Sequence, residues 1–406
     1  MQYPTDRLAS KGFLAFTATQ LLGAFNDNIY KQVMLLFALS VGTGAASGDK
    51  QGTITMVFSL PFILFSGYSG QLSEKYSKSW IMALSKYWEL VIMVLGAVVF
   101  ATGSFTGMLV VLFMMGAQST LFGPSKYGAL PELIQDQRLT AANGLVQMTT
   151  FVAIIMGTAI AGYLMDHFRS QLYLAGVVCS VVAVLGIGTV LAIPKLQANR
   201  PDTRLNWNPF GRVLVTVWNL KNDPILALVM VANCFFWFSG VMVVQIVNNY
   251  GKNLLNLKET QISLLLVSVS VGIMLGCLAA ARIEKALRPA GTVFLGAVLI
   301  AVFQMSLYFY GMPFWSIHVV LVLAGAASGL YYVPLATLLQ SRPPLGEKGE
   351  VLAAMNFLNF IAMFIAGFVW SFFIWTGLGV QWAWVLLGAS MIVLILCLYP
   401  GFKKYL

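Results

Sequence analysis

Residues 171–194 read QLYLAGVVCSVVAVLGIGTVLAIP, and Lys195 follows. No acidic or basic side chain interrupts the stretch. A helix crossing the hydrocarbon core of a bilayer needs about 20 mostly apolar residues. This stretch supplies them, and its length exceeds that of a buried strand or core helix. Backbone in lipid must satisfy its own hydrogen bonds, so the segment reads as helix. Working outward, comparable runs start near Gly12, Thr53, Ser79, Thr106 and Thr140. On the other side they start near Pro224, Gln261, Pro289, Phe314, Val351 and Val380. The expectation is twelve spans, the first one a long helix with polar interruptions.

Composition agrees. The 406 residues are 59% hydrophobic and 9% charged, with mean hydropathy +0.82. Soluble domains carry roughly 25% charged residues, so the chain lacks the charge to coat a water-facing surface. That excludes a soluble multidomain enzyme, a nucleic-acid-binding module and a disordered chain. An outer-membrane barrel is excluded too, because its strands alternate apolar and polar residues.

Charge placement predicts topology. With both termini cytoplasmic, seventeen of the 24 Lys and Arg residues fall on the inner side. Only Lys50, Arg169, Lys252 and Lys258 fall outside, while Lys31, Lys86 and Lys126 stay within spans. Cations collect on the cytoplasmic side, so this bias sets the orientation. The N-terminal MQYPTDRLASKGFLAF lacks the short apolar core and cleavage site of a signal peptide. The expectation is a multi-pass membrane protein with both termini cytoplasmic.

The longest polar stretch, residues 195–223, contains Pro201 and Pro209. It separates an N-terminal six-helix bundle (1–194) from a C-terminal one (224–406). Residues 210–220 are expected to form a short amphipathic helix on the membrane surface. The two halves echo each other. GAQSTLF (116–122) precedes Pro124, and GAASGLY (325–331) precedes Pro334, an offset of 209. Ala141-Ala142-Asn143 is matched by Ala353-Ala354-Met355-Asn356. Gly70 with Glu74-Lys75 is matched by Gly276 with Arg282, Glu284 and Lys285. Six spans per half make such a repeat parallel.

A charge at the bilayer centre costs roughly 2.5–3.5 kcal/mol on insertion scales, so intramembrane charges point to function. In the first span Asp27 and Lys31 stand four apart and can pair, with Asn26 and Asn28 beside them. Lys86 and Glu89 stand three apart, read as a self-paired couple with Lys86 snorkelling to the interface. In the fourth span, prolines 124 and 131 and glycines 123 and 128 are expected to interrupt the helix around Lys126 and Tyr127. Lys126 has no carboxylate within four residues, so an anionic head group is its expected partner. Pairing with Asp27 or Glu89 is the alternative. Asn143 with Gln147, Gln245 with Asn248, and Asn356 with Asn359 are further polar pairs at helical spacing.

The loop GQLSEKYSK (70–78) resembles the signature between the second and third helices of major facilitators, with Glu74 for Asp and Ser77 for Gly. Gly70 is expected to allow close helix approach, Glu74 to accept hydrogen bonds that close the inner side, and Lys75 and Lys78 to meet lipid phosphates. More specific are GAFNDNIYKQ (23–32), LFGPSKYGALPEL (121–133), AANGLVQMTTFVAIIMGTAIAG (141–162), YVPLATLLQ (332–340) and AAMNFLNF (353–360). Together they make the chain similar to the bacterial lysophospholipid transporters of the major facilitator superfamily. The resemblance implies an all-α membrane protein with the major facilitator fold, twelve helices in two pseudo-symmetric halves. It implies alternating-access movement of lysophosphatidylethanolamine and lysophosphatidylglycerol to the cytoplasmic leaflet for reacylation. Besides membrane lipids, the expected partner is an acyltransferase or acyl-ligase, on a separate chain or beyond Leu406.

Asp27 and Lys126 match the family's own Asp and Lys. Stand-alone enterobacterial members carry an Arg after a Phe-Trp pair, whereas Phe236-Trp237 here leads only to Gln245 as the nearest polar side chain. The substrate-binding candidates are Asp27, Asn28, Lys31, Lys126, Tyr127, Asn143, Gln147, Gln245 and Asn356. The gate candidates are Gly70, Glu74, Lys75, Lys78 and Glu89. The alternative function is proton-coupled efflux of amphipathic small molecules. No cofactor is expected. The four cysteines, all in apolar runs, lack metal-ligand spacing. His167 and His318 have no evident partner, so no enzyme is expected.

Overall fold

The computed structural model describes residues 4–41, 50–198, 201–202, 205, 208, 210–309, 311–343 and 348–405. The expected helix break at Pro209, and Arg200 and Arg204 in the polar connector, lie outside these residues. The helices are α1 (Lys11–Val41), α2 (Gln51–Lys75), α3 (Lys78–Thr102), α4 (Phe105–Leu133), α5 (Asp136–His167) and α6 (Tyr173–Leu191). Then come α7 (Gly211–Asn219), α8 (Pro224–Asn249), α9 (Glu259–Ser306), α10 (Phe314–Ser341), α11 (Lys348–Trp375) and α12 (Gln381–Tyr405). Arg288, just before Pro289, leaves helical geometry with φ 61° and ψ 166°, so α9 holds two spans. Eleven stretches among the described residues are long and apolar enough to cross a membrane. The 31-residue α1, carrying its polar segment, is the twelfth span. The chain is a multi-pass membrane protein.

Local signals explain the helix ends. Ser104 caps α4, its hydroxyl accepting from Gly107 N–H at 3.2 Å. Asp223 caps α8, accepting from Leu226 N–H at 3.1 Å, with Pro224 in the first turn where its missing donor costs nothing. The fourth span departs from expectation. Pro124 and Pro131 sit inside an uninterrupted α4. Each proline removes one donor, and the rest of the hydrogen-bond ladder carries the helix through.

Two compact units emerge: residues 1–34 with 57–209, and residues 35–56 with 210–406. In the first, Phe13, Phe16, Met82, Leu130, Leu133 and Val146 form an apolar core. In the second, two clusters centre on Val229, Ile300 and Leu335 and on Ile246, Leu321 and Trp370. Lipid tails are as apolar as leucine, so burial alone does not hold spans together. Close backbone approach does. A Cβ on Gly116 of α4 would stand 2.8 Å from Phe58 O of α2. Gly325, its repeat counterpart on α10, lies against Val269 O and Gly272 of α9. Gly276 and Gly329 extend that contact. The echoed glycines therefore do the same job in each unit. Gly70 does not: a Cβ there would meet nothing within 4 Å, so no close approach occurs at that glycine.

Candidate functional site

In the first unit, three polar groups lie between the helices. The deepest holds Lys86 and Glu89 of α3, each 1% exposed. Lys86 Nζ donates to Glu89 Oε2 at 2.6 Å and lies 5.5 Å from the Phe122 ring centroid. Asn26 of α1 donates to Glu89 Oε1 at 2.8 Å. Gly23 and Gly186 leave the room that the lysine occupies. The expected self-pairing holds, but the snorkelling does not: the ammonium is buried because a carboxylate, an aromatic face and two glycines accommodate it.

The second group contains Asp27. It accepts from Ser119 of α4 at 2.7 Å. Ser119 also meets Gln118 Oε1 at 3.2 Å, and Gln118 Nε2 donates to Ser85 O at 3.1 Å. Lys31 stands 5.3 Å from the centroid of Phe58 instead of pairing with Asp27. The helix-face pairing read from the spacing does not form. Asn28 Nδ2 donates to Ala24 O of its own helix at 2.7 Å.

The third group contains Lys126. Its Nζ donates to Gln20 Oε1 of α1 at 3.2 Å and lies 4.9 Å from the Tyr127 ring centroid. Thr150 donates to the same Gln20 oxygen at 3.1 Å, and Gln20 Nε2 donates to Thr149 Oγ1 at 2.7 Å. Among the described residues no carboxylate reaches Lys126. An ammonium has three donors, and protein takes one here. Gln20 and Asp27 are seven residues apart on α1, as Ser119 and Lys126 are on α4. The pairs Asp27–Ser119 and Gln20–Lys126 are thus successive layers of an antiparallel seam. At 1.5 Å rise per residue they lie about 10 Å apart.

The loop residues divide. Lys78 is 1% exposed and pairs with Glu132 of α4, passing over Gly128. It does not meet lipid. Glu74 is half-buried, and Lys75 Nζ lies 5.9 Å from the Tyr76 ring centroid. Ser77 donates to Leu196 O at 2.6 Å, and Leu196 N–H donates to Ser79 at 3.0 Å. The loop is thereby tied to the segment after α6. Asn143 and Gln147 on α5 are exposed, as is Tyr127.

In the second unit, Gln245 is buried and donates to Thr55 Oγ1 at 2.9 Å. Gln51 donates to Gln245 O at 3.2 Å and accepts from Asn248 at 2.9 Å. Asn233 donates to Asn359 at 2.8 Å, which leaves Asn356 exposed on α11. His318 does have a partner, Ser268 Oγ at 2.7 Å from its Nδ1. Ser268 Oγ also lies 3.0 Å from Leu264 O of its own helix.

Gln20, Ser119 and Thr150 are the residues missed by sequence reading. A glutamine in an apolar run is also costly to insert, though less so than a charge, and its seven-residue spacing from Asp27 was available.

Residues 12–367 match the model of the Major Facilitator Superfamily. The chain belongs to that superfamily. It is 30% identical to the lysophospholipid transporter LplT of Cronobacter sakazakii, over 90% of this chain and 89% of that one. With LplT of Photorhabdus laumondii the identity is 29%, over 88% and 87%. With that of Escherichia coli it is 28%, over 98% of each. Within the superfamily the chain therefore falls in the lysophospholipid transporter family. Among solved structures it resembles a POT family transporter in complex with 5-aminolevulinic acid (TM-score 0.74, 14% identity, 96% of each chain). It also resembles a D-xylose–proton symporter (TM-score 0.73, 12% identity, 94% and 97%). At these identities the likeness concerns the fold, which is that of a major facilitator with two pseudo-symmetric halves.

Proposed function

We propose that this protein moves lysophospholipids across a bacterial inner membrane to the cytoplasmic leaflet, where an acyltransferase restores the second chain. The observation that carries the reading is the pair of polar layers on the α1–α4 seam. Each presents a half-buried charge with no opposite charge in contact: Asp27 in one layer and Lys126 in the other. The names of the relatives supply the substrate class. A lysophospholipid brings a phosphate, in many cases an amine, and one acyl chain. Lys126 takes the phosphate through its two spare donors. Asp27 takes an ethanolammonium or a glycerol hydroxyl at the neighbouring layer. Asn28, Lys31, Tyr127, Asn143 and Gln147 complete the polar wall of the first unit, and Asn356 is a candidate contact on the second. Gln245 donates to Thr55 and its side-chain oxygen has no partner among the described residues, so it stays a candidate on the second unit. A cavity of about 430 Å³ between α2 and α4, lined by Phe65, Tyr68, Leu72, Ala117 and Leu121, suits an acyl chain.

Residues 1–194 and 224–406 are the two rocking bundles, joined by the 195–223 connector. Both chain termini lie on the cytoplasmic side. Glu74, Lys75, Lys78 and Glu89 belong to the inner closure, Lys78 and Glu89 by fixing helix positions. Fluorescent lysophosphatidylglycerol flux into proteoliposomes tests the reading. Removing a charge-assisted hydrogen bond costs about 1.5–3 kcal/mol. Lys126→Ala should therefore weaken apparent affinity roughly 10- to 100-fold, and Asp27→Ala should cut lysophosphatidylethanolamine flux more than lysophosphatidylglycerol flux. Uptake indifferent to both changes removes the site. A cationic dye moved by a pH gradient, with no lysolipid competition, supports amphipath efflux instead.

A further inference from the structure

The second unit holds a side-chain cluster separate from the α1–α4 seam. Phe236 and Trp237 sit at the middle of α8, between its ends at Pro224 and Asn249. Phe236 stacks on Tyr332 of α10, with ring centroids 4.5 Å apart and planes inclined by 27°. Trp237 stands nearly at right angles to both, at 86° and 6.4 Å from Tyr332 and at 85° and 5.7 Å from Phe236. The three rings form a corner. Tryptophan concentrates at the two membrane interfaces, where one end of the ring is apolar and the other wet. Trp237 is at mid-span and 36% exposed, so interface anchoring does not explain it.

What the corner takes follows from three features. The first is an orphan acceptor. Asn233, 1% exposed, donates to Asn359 of α11 at 2.8 Å, and its own Oδ1 has no partner among the described residues. A buried oxygen left unpaired costs free energy that a donor would recover. The second is room. Asn233, Phe236, Trp237 and Gly240 are spaced i, i+3, i+4 and i+7, so they share one face of α8. A Cβ on Gly240 would meet nothing within 4 Å. The third is charge. α8 and α10 contain no Asp, Glu, Lys or Arg. The face of an aromatic ring is the negative end of its quadrupole, and tryptophan holds a desolvated cation best. The fitting partner is a hydrogen-bond donor that carries positive charge and needs no carboxylate.

We infer that Asn233, Phe236, Trp237 and Tyr332 form a second ammonium site: an organic ammonium group gives an N–H to Asn233 Oδ1 and sets its charge against the rings of the corner. On the lysolipid reading, on which this rests, the group is the ethanolammonium of a lysophosphatidylethanolamine. Asp27 offers that head an ionic contact on the first unit, and the corner offers an uncharged one on the second. Lysophosphatidylglycerol has no cation and gains nothing here.

The test is flux of fluorescent lysophosphatidylethanolamine and lysophosphatidylglycerol into proteoliposomes, side by side, with the whole chain. Trp237→Leu should weaken the apparent affinity for the ethanolamine lipid roughly 3- to 30-fold. The affinity for the glycerol lipid should stay as it is, which also shows that the variant is folded. Trp237→Phe keeps a ring and should fall in between. Asn233→Ala should act on the ethanolamine lipid alone. Fluorinated tryptophan keeps the shape of the ring and weakens the charge on its face. Incorporated throughout the native chain, it should lower the affinity for the ethanolamine lipid, and Trp237→Phe should abolish that effect. Equal losses for both lipids in Trp237→Leu, or no loss for the ethanolamine lipid, overturn the site and leave the lysolipid reading standing. Native protein that moves neither lipid removes both. Where Trp237→Leu does not fold, the fluorinated native protein decides, and an affinity indifferent to fluorine overturns the site.

Discussion

Lys86 and Glu89 show what a charge in a membrane helix means once its surroundings are known. The pair is buried, and Asn26 satisfies the second carboxylate oxygen. Taking one partner away leaves an uncompensated charge, which costs about 3–5 kcal/mol, whereas replacing both with apolar groups of similar volume is often near neutral. Lys86→Ala should therefore markedly lower the unfolding temperature in detergent. Lys86→Met combined with Glu89→Leu should recover much of the loss. A double variant no better than the single one contradicts a structural role and returns the pair to the transport pathway. The contrast with Lys126 marks the limit of sequence reading. Both lysines stood out because each interrupts an apolar run. Their roles diverge through neighbours remote in sequence. Phe122, Gly23 and Gly186 surround one, and Gln20 with Thr150 turns the other toward a half-buried seam. Side-chain direction decides function here, and residue spacing does not encode it.

At the scale of elements, glycine spacing carries more information than proline. Both prolines of α4 are absorbed into a continuous helix, while glycines four apart on α9 and α10 let backbone touch backbone. Gly276→Leu should push the two helices apart and cost about 1–3 kcal/mol or more, read as lost monodisperse yield. Gly70→Ala, which meets open space, should leave both yield and fold unchanged. Helix starts were legible to within a few residues because apolar runs end at polar or proline signals, as at Asp223-Pro224. Asp223 also carries a pH signature. Burial pushes its carboxyl up, but the Arg342 guanidinium at 2.8 Å and the Leu226 N–H outweigh this and hold it below the usual range. A carboxylate with a lowered folded value contributes stability above its unfolded value of about 3.9. That contribution is lost as pH falls through the lower folded value. Thermal stability across acid pH should fall less steeply for Asp223→Asn than for the native chain. Parallel curves would show that the cap and ion pair are not linked to protonation.

Whole-molecule order rests on an even number of spans in each half and on the side to which cations are confined. The repeat was legible because Gly116 and Gly325 stand 209 residues apart, and each closes the corresponding helix pair within its own unit. An orientation read from cations makes a claim that no single helix can make. In the proposed orientation the loops containing Lys50, Arg169 and Lys258 are outside, and the loop at Ser77, the connector and both termini are inside, because lysines and arginines resist translocation. A chain with one span fewer in either half would put its termini on opposite sides. Single cysteines at Lys258 and at Ala198, in a cysteine-free background, distinguish these cases. An impermeant maleimide applied to intact spheroplasts should label position 258 at once and position 198 only after lysis. Labelling of both before lysis would contradict the single span between them, and labelling of 198 alone would reverse the assigned orientation. The Lys126 layer would then lie nearer the outer leaflet, and the proposed inward delivery of lysolipid would lose its direction.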